Sequence, residues 1–145
     1  MSQPDLVRPI IAWRAWAVHR KGPPRLESFN GAPWPPHHRM EARCNKSHEP
    51  PGVGCRCGLY AAKDKPTLIE LGYQHYGDAW FAVIGTVKLW GGLIPAEWGY
   101  RAEYGYPATL HVPYEIPDVA IALRRTYGVR VRLSNNLALI PNEEE

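Results

Sequence analysis

The sequence predicts an α+β domain: a twisted, mainly antiparallel sheet that curls toward a small barrel, with two short helices and a zinc-stabilised loop. Three observations support this fold class. The chain has 145 residues, 45% of them apolar, which is enough for one domain with one core. Fifteen prolines and thirteen glycines separate the elements and leave little room for long helices. β-Branched and aromatic residues gather in short runs that are typical of strands. We therefore expect a single domain over residues 1–140 and an acidic tail over 141–145.

Short strands and turns dominate the first half of the chain. Residues 9–18 carry β-branched and aromatic side chains in both alternating sets of positions, which predicts a strand with both faces partly covered. A turn then leads to a predicted return strand over Arg25–Phe29. After a proline-rich loop, Met40–Ala42 predicts a short strand that enters the cysteine loop, and Gly58–Ala62 predicts the strand that leaves it.

A first helix is predicted over residues 65–76. Asp64 suits the N-cap, and Pro66 is tolerated in the first helical turn. Gly77 suits the position just after the last turn.

The strongest strand pattern in the chain lies over residues 79–90. The pair Gly91-Gly92 that follows is a hairpin signal. The predicted return starts at Leu93-Ile94, and a second strand is predicted over 98–106, where Tyr100, Ala102, Tyr104 and Tyr106 share one face. On the other face, Arg101 and Glu103 are two residues apart and are expected to pair locally.

The second predicted helix runs over about 117–127, opened by Pro117 and closed by Gly128. A short strand over 129–133 and a last apolar stretch over 137–140 follow it. The buried stripe of this helix is expected to contain Val119, Ala122, Leu123 and Thr126.

Charge and hydropathy argue against two classes of protein. The net charge of +3 is smaller than that of a dedicated nucleic-acid-binding protein. No apolar run approaches the ~20 residues that span a bilayer. Residues 1–13 contain an early acid and no long apolar segment, unlike a signal peptide. We therefore expect a cytoplasmic protein that does not contact a membrane.

All three cysteines lie in one short loop with the pattern Cys44-x3-His48-x6-Cys55-x-Cys57. An odd number of cysteines, in a chain without an export signal, argues against a disulfide framework. Three thiolates and one imidazole are a usual ligand set for structural zinc. We predict zinc at these four residues. The alternatives are His37 or His38 as the fourth ligand, an iron–sulfur centre, or thiols that are free or oxidised.

A zinc ion that takes all four ligands from the protein leaves no position for water, so such a site stabilises a loop and does not catalyse. If only three ligands bind, hydrolysis becomes feasible and Glu49 is the candidate base. Neither a nucleophile elbow nor a phosphate-binding glycine loop is present in the sequence. We therefore assign no catalytic residue.

Aromatic residues and arginines form the candidate partner-binding set. Aromatic walls recognise cations, flat bases or peptide prolines, and arginines contact phosphates. The more ordinary interpretation is that the tyrosines pack a strand against a helix and that the arginines form a solvated face. The candidates are Trp90, Trp98, Tyr100, Tyr104, Arg124 and Arg125.

Three stretches, over residues 42–61, 85–91 and 99–107, together resemble a group of short, uncharacterised proteins of actinobacteria and their phages. In that group the cysteine loop is likewise followed by a helix and by a tryptophan-bearing hairpin. The resemblance covers about residues 42–107. It implies that the cysteines and the histidine of the loop act as one unit, and it implies no activity.

These observations favour a zinc-stabilised, non-enzymatic binding or regulatory module of a bacterial or phage cytosol, acting through a protein partner. The first alternative is a nucleic-acid-binding module that uses an arginine face and an aromatic pocket. The second alternative is a small zinc hydrolase.

Overall fold

The computed structural model describes residues 8–19, 22–46, 48–71 and 80–134. The end of the first predicted helix, the predicted apolar stretch near the C-terminus and the predicted acidic tail lie outside these residues. Within the described ranges, neither helix is long and apolar enough to cross a membrane. The elements are β1 (Ile10–His19), β2 (Met40–Glu41), β3 (Leu59–Ala62), α1 (Lys65–Glu70), β4 (Trp80–Pro95), β5 (Gly99–Val112), α2 (Pro117–Tyr127) and β6 (Arg130–Leu133).

Four of the strands form a ring that closes the sheet into a small barrel. β4 pairs antiparallel with β1 on one side and with β5 on the other. β3 pairs antiparallel with β5 and meets β1 at the residue pair Trp13 and Ala62, which closes the ring. β2 pairs antiparallel with β5, and β6 is the one parallel strand beside it. The predicted fold class, a mainly antiparallel sheet with two short helices, is confirmed.

β1 is covered on both faces, as its sequence predicts. Trp16 and Val18 lie in the main core, which α2 also covers. Trp13 and Ala15 point the other way and pack in a smaller cluster with Leu68 of α1. Because apolar residues occupy both alternating sets of positions, β1 is a central strand of the barrel.

The predicted turn at Gly91-Gly92 is wrong, because β4 continues through both glycines. The register with β5 shifts between Trp90 and Leu93, and Gly91 has a φ of 80°. A glycine with positive φ suits a β-bulge as well as a hairpin turn. The chain turns later, where Ala96 and Gly99 exchange both backbone hydrogen bonds.

The segment after β1 also differs from the expectation. The predicted return strand over Arg25–Phe29 is reduced to isolated bridges, in which Glu27 exchanges backbone hydrogen bonds with Ala17. The nearby prolines donate no backbone hydrogen bond, and this limits ladder formation.

The bounds of α2 agree with the prediction, and Gly128 ends the helix with a φ of 68°. Its buried side differs from the predicted stripe, because Ala122 and Thr126 are half-buried. The hydroxyl of Tyr127 enters the core, where it donates to the Trp34 carbonyl at 2.8 Å and accepts from the Leu26 N–H at 2.9 Å. This anchor rotates the helix toward its tyrosine. The buried residues are Val119, Ala120, Leu123 and Tyr127.

Candidate metal centre

The sheet itself brings the two ends of the cysteine loop together. β2 enters the loop and pairs with β5 at Tyr104 and Gly105. β3 leaves the loop and pairs with the same strand over Gly99–Ala102. Because both ladders lie on consecutive segments of β5, residues 44–57 form a closed excursion from the barrel.

The four predicted ligands converge in this loop. The Sγ of Cys44 lies 3.6 Å from the Nε2 of His48 and 3.7 Å from the Sγ of Cys55. The Sγ of Cys57 lies 4.0 Å from the same Nε2. All four ligand atoms are within 4.8 Å of one another, and all three cysteines are free thiols.

Two of these separations match the edges of a metal-centred tetrahedron, and the Cys57–His48 distance of 4.0 Å is longer than such an edge. Zinc–sulfur bonds of about 2.3 Å and zinc–nitrogen bonds of about 2.0–2.1 Å place two sulfurs about 3.8 Å apart and a sulfur and a nitrogen about 3.6 Å apart. The Cys44–Cys55 and Cys44–His48 distances, 3.7 and 3.6 Å, agree with these values. The group can therefore hold a metal ion.

The imidazole of His48 is oriented by its own backbone. Its Nδ1 lies 3.0 Å from the carbonyl oxygen of Glu49. A carbonyl oxygen only accepts hydrogen bonds, so Nδ1 carries the proton and the lone pair of Nε2 faces the cysteines. This is the arrangement of a metal-binding histidine.

Gly52 leaves room for that imidazole. A Cβ on Gly52 would lie 2.3 Å from the Cε1 of His48, which is far inside van der Waals contact. The N–H of Gly52 also donates to the Sγ of Cys57 at 3.3 Å. The glycine thus allows the histidine to approach and stabilises a thiolate at the same time.

Arg101 of β5 holds the loop against the barrel. Its guanidinium donates to the carbonyl oxygens of Cys55 at 2.6 Å, Cys57 at 2.7 Å and Gly52 at 3.2 Å. The sequence suggested a local pair with Glu103, but the carboxylate of Glu103 accepts from a backbone N–H at the β4 bulge. Its positive charge would also offset the negative charge of a divalent metal ion bound by three thiolates and one neutral imidazole.

The thiol of Cys55 loses its proton more readily than an ordinary cysteine, which favours metal binding. The pKa of Cys55 is lowered from 9.0 to about 6, chiefly because the ring of His48, when it is protonated on both nitrogens, donates a hydrogen bond to the Cys55 thiolate. Hydrogen bonds from the Cys57 backbone and from the Cys44 side chain lower the pKa further. The thiolate is the form that binds a metal.

The other candidate ligands do not join this group. In the described part of the chain, the cluster contains Cys44, His48, Cys55 and Cys57, without His37 or His38. The backbone N–H of His37 donates to a tyrosine hydroxyl at 2.8 Å, and His38 lines a cleft beside the loop.

The predicted partner-binding residues are spread over several places. Trp98 stacks on Tyr60, with ring centroids 5.3 Å apart and planes 4° apart. Trp90 and Tyr104 form a tilted pair across β4 and β5, and Tyr100 packs against the main core. The two candidate arginines, Arg124 and Arg125, are exposed in the last turn of α2.

A cleft of about 1230 Å³ lies beside the cysteine loop, between β1, β3 and the segment after Ser28. Trp98 is the one predicted partner-binding residue in its lining. The lining also contains four arginines that the sequence analysis did not select: Arg14, Arg39, Arg43 and Arg56.

Comparisons with protein-family models, with curated proteins and with solved structures each found no match. The resemblance to actinobacterial and phage proteins therefore stays a prediction.

Proposed function

We propose that this protein is a zinc-stabilised binding module in which the metal has a structural role. The observation that carries the proposal is the convergence of the Cys3His group, whose four ligand atoms lie within 4.8 Å of one another and two of whose distances match the edges of a zinc tetrahedron. Zinc is the metal that best suits three thiolates and an imidazole. Thiolate ligation without a disulfide also supports a reducing compartment such as the cytoplasm.

Four protein ligands argue against the small zinc hydrolase. A catalytic zinc ion needs an open position for water, and this ligand set fills a tetrahedral shell. The guanidinium of Arg101 donates hydrogen bonds to carbonyl oxygens of the loop, as expected of a residue that stabilises the loop rather than one that takes part in catalysis.

The cysteine loop, which we also call the metal loop, forms one wall of the cleft, and this supports a ligand-binding role for the module. Arg56, Cys57 and Gly58 lie in the lining, so an ion that fixes the loop also fixes that wall. A protein partner, the expectation from the sequence, stays a prediction. The exposed large apolar side chains of the described residues belong to different elements: Ile11, Val53, Tyr60, Leu71, Tyr114 and Ile121.

Native mass spectrometry of protein purified from a bacterial cytosol tests the proposal. We expect one zinc ion per chain, which the Cys57→Ser variant loses. Glu49→Gln is the matched control in the same loop, and it should keep the ion.

The structural role is tested by chelation followed by near-ultraviolet circular dichroism. Tyr60 donates to the Arg56 carbonyl and stacks on Trp98, so the signal of this pair should change when the loop is released. Removal of zinc without any change in that signal or in thermal stability would contradict a structural ion.

A further inference from the structure

The cleft beside the metal loop is strongly basic. Its lining contains four arginines and one acidic residue, Glu41. Arg39 lies 3.4 Å from the carboxylate of that acid and 3.8 Å above the ring of Tyr104. The remaining three arginines give the cleft an excess of positive charge, which favours an anionic ligand.

Two of the arginines are positioned by the metal ligands. Arg43 directly precedes Cys44, and Arg56 lies between Cys55 and Cys57. Both side chains are exposed at the rim of the cleft. In the ranges that the structure describes, neither has an acidic partner. A metal ion that fixes the cysteines therefore also fixes the backbone from which these two cationic side chains extend.

A third arginine lies inside the cleft. The guanidinium of Arg14 donates to the Ser28 hydroxyl at 2.8 Å and to the Tyr60 carbonyl oxygen at 2.5 Å. It also lies 4.9 Å above the ring of Trp34. These contacts hold a positive charge between β1 and β3 in a defined orientation.

The cleft also offers aromatic surface. Tyr60 is 40% exposed, stacks on Trp98, and both residues line the cleft. Unpaired nucleic-acid bases stack on such rings, whereas the carboxylates of a glutamate-rich peptide do not. The volume of about 1230 Å³ exceeds the roughly 300–1000 Å³ of a site for one small molecule.

We propose that the cleft binds a short segment of single-stranded nucleic acid, with phosphates at Arg43 and Arg56 and a base on the Tyr60–Trp98 stack. The inference rests on the proposed function, since it names the ligand of the binding module. It differs from the expectation that Arg124 and Arg125 form the nucleic-acid face.

Fluorescence anisotropy with the zinc-loaded protein and labelled oligonucleotides of about ten nucleotides tests the inference, because comparable single-strand sites cover about 4–16 nucleotides. Titrations at several salt concentrations give the slope of log K against log salt. Each phosphate contact contributes about 0.7 to that slope for a single strand. We expect Arg43→Ala plus Arg56→Ala to reduce the slope by about 1.4, and the corresponding lysine variants to retain it.

The matched control is Arg124→Ala plus Arg125→Ala, which removes the same charge outside the cleft. It should leave the slope unchanged. A slope that falls with the α2 variants and not with the cleft variants would overturn the proposed site. Tighter binding of a glutamate-rich peptide of equal charge would overturn the ligand class.

The stacking contact has its own pair of variants. Trp98→Leu should weaken oligonucleotide binding by roughly 5- to 150-fold, the effect of losing one stacked base. Trp90→Leu, on the pair with Tyr104 outside the cleft lining, should bind like the parent protein. Equal affinities for both variants would overturn the stacking contact.

Zinc content is measured on the same samples. Zinc-loaded protein that binds no oligonucleotide would refute the inference and leave the structural zinc intact. Protein without zinc would instead refute the proposed function, whatever its affinity for nucleic acid.

Discussion

Replacing Arg101 by methionine removes the contacts that tie the cysteine loop to the barrel while keeping an unbranched apolar side chain at this position. Three carbonyl oxygens, those of Gly52, Cys55 and Cys57, lose a charged donor. A hydrogen bond from a charged group contributes about 1.5–3 kcal/mol. Water replaces part of this at a half-buried site, so we expect the free energy of unfolding to fall by about 2–4 kcal/mol.

Urea denaturation of the zinc-loaded protein measures that loss, and competition with a chromophoric chelator measures zinc affinity. Because the same contacts hold the ligands in place, zinc affinity should fall as well, by up to roughly 30- to 700-fold if all of the lost energy is coupled to the metal. Arg101→Lys keeps the positive charge but replaces the planar guanidinium by a single ammonium group. Its stability and zinc affinity should therefore lie between those of the parent protein and Arg101→Met. Unchanged stability and unchanged zinc affinity in Arg101→Met would refute the clamp.

Two other positions give equally specific expectations. Gly52→Ala should weaken zinc binding by about 10- to 100-fold, because a Cβ at this position displaces His48. Gly54→Ala is the control, because its Cβ has no atom within 4 Å, and it should bind zinc like the parent protein. Equal zinc affinities of the two variants would contradict the contact between Gly52 and His48. Tyr127→Phe should cost about 2–4 kcal/mol in urea denaturation because two buried backbone groups lose their partner, and parent-like stability would contradict this. Burial raises the pKa of Tyr127, so the folded protein keeps that proton to higher pH than the unfolded chain. The parent's stability should therefore fall as pH rises above about 10, and part of this fall should be missing in Tyr127→Phe.

The ligand group was predictable because its signal is local. Metal binding is the usual function that three thiols and an imidazole in one short loop have in common, so their spacing alone indicated one site. The same holds for α2, whose first and last residues follow from Pro117 and Gly128.

The β4 bulge was not predictable from the glycine pair alone. Gly91 needs a positive φ, and both a hairpin turn and a bulge meet that need. Only the register with β5, where Trp90 faces Tyr104 and Leu93 faces Ala102, distinguishes the two.

The role of Arg101 and the presence of the cleft were not predictable from the sequence, for a different reason. The partners of Arg101 are backbone carbonyls, which every residue has and no pattern reveals. The cleft arginines come from separate segments: Arg14 from β1, Arg39 and Arg43 from the segment around β2, and Arg56 from the metal loop. Only the closed barrel brings them to one surface.

We propose that the metal ion is held in a closed Cys3His shell. Zinc K-edge X-ray absorption of the protein as purified tests it most directly. We expect three sulfur ligands at about 2.3 Å and one nitrogen at about 2.0–2.1 Å, with no oxygen in the shell. A spectrum with fewer sulfur ligands and a water oxygen would contradict the structural role of the metal and would favour the small zinc hydrolase instead.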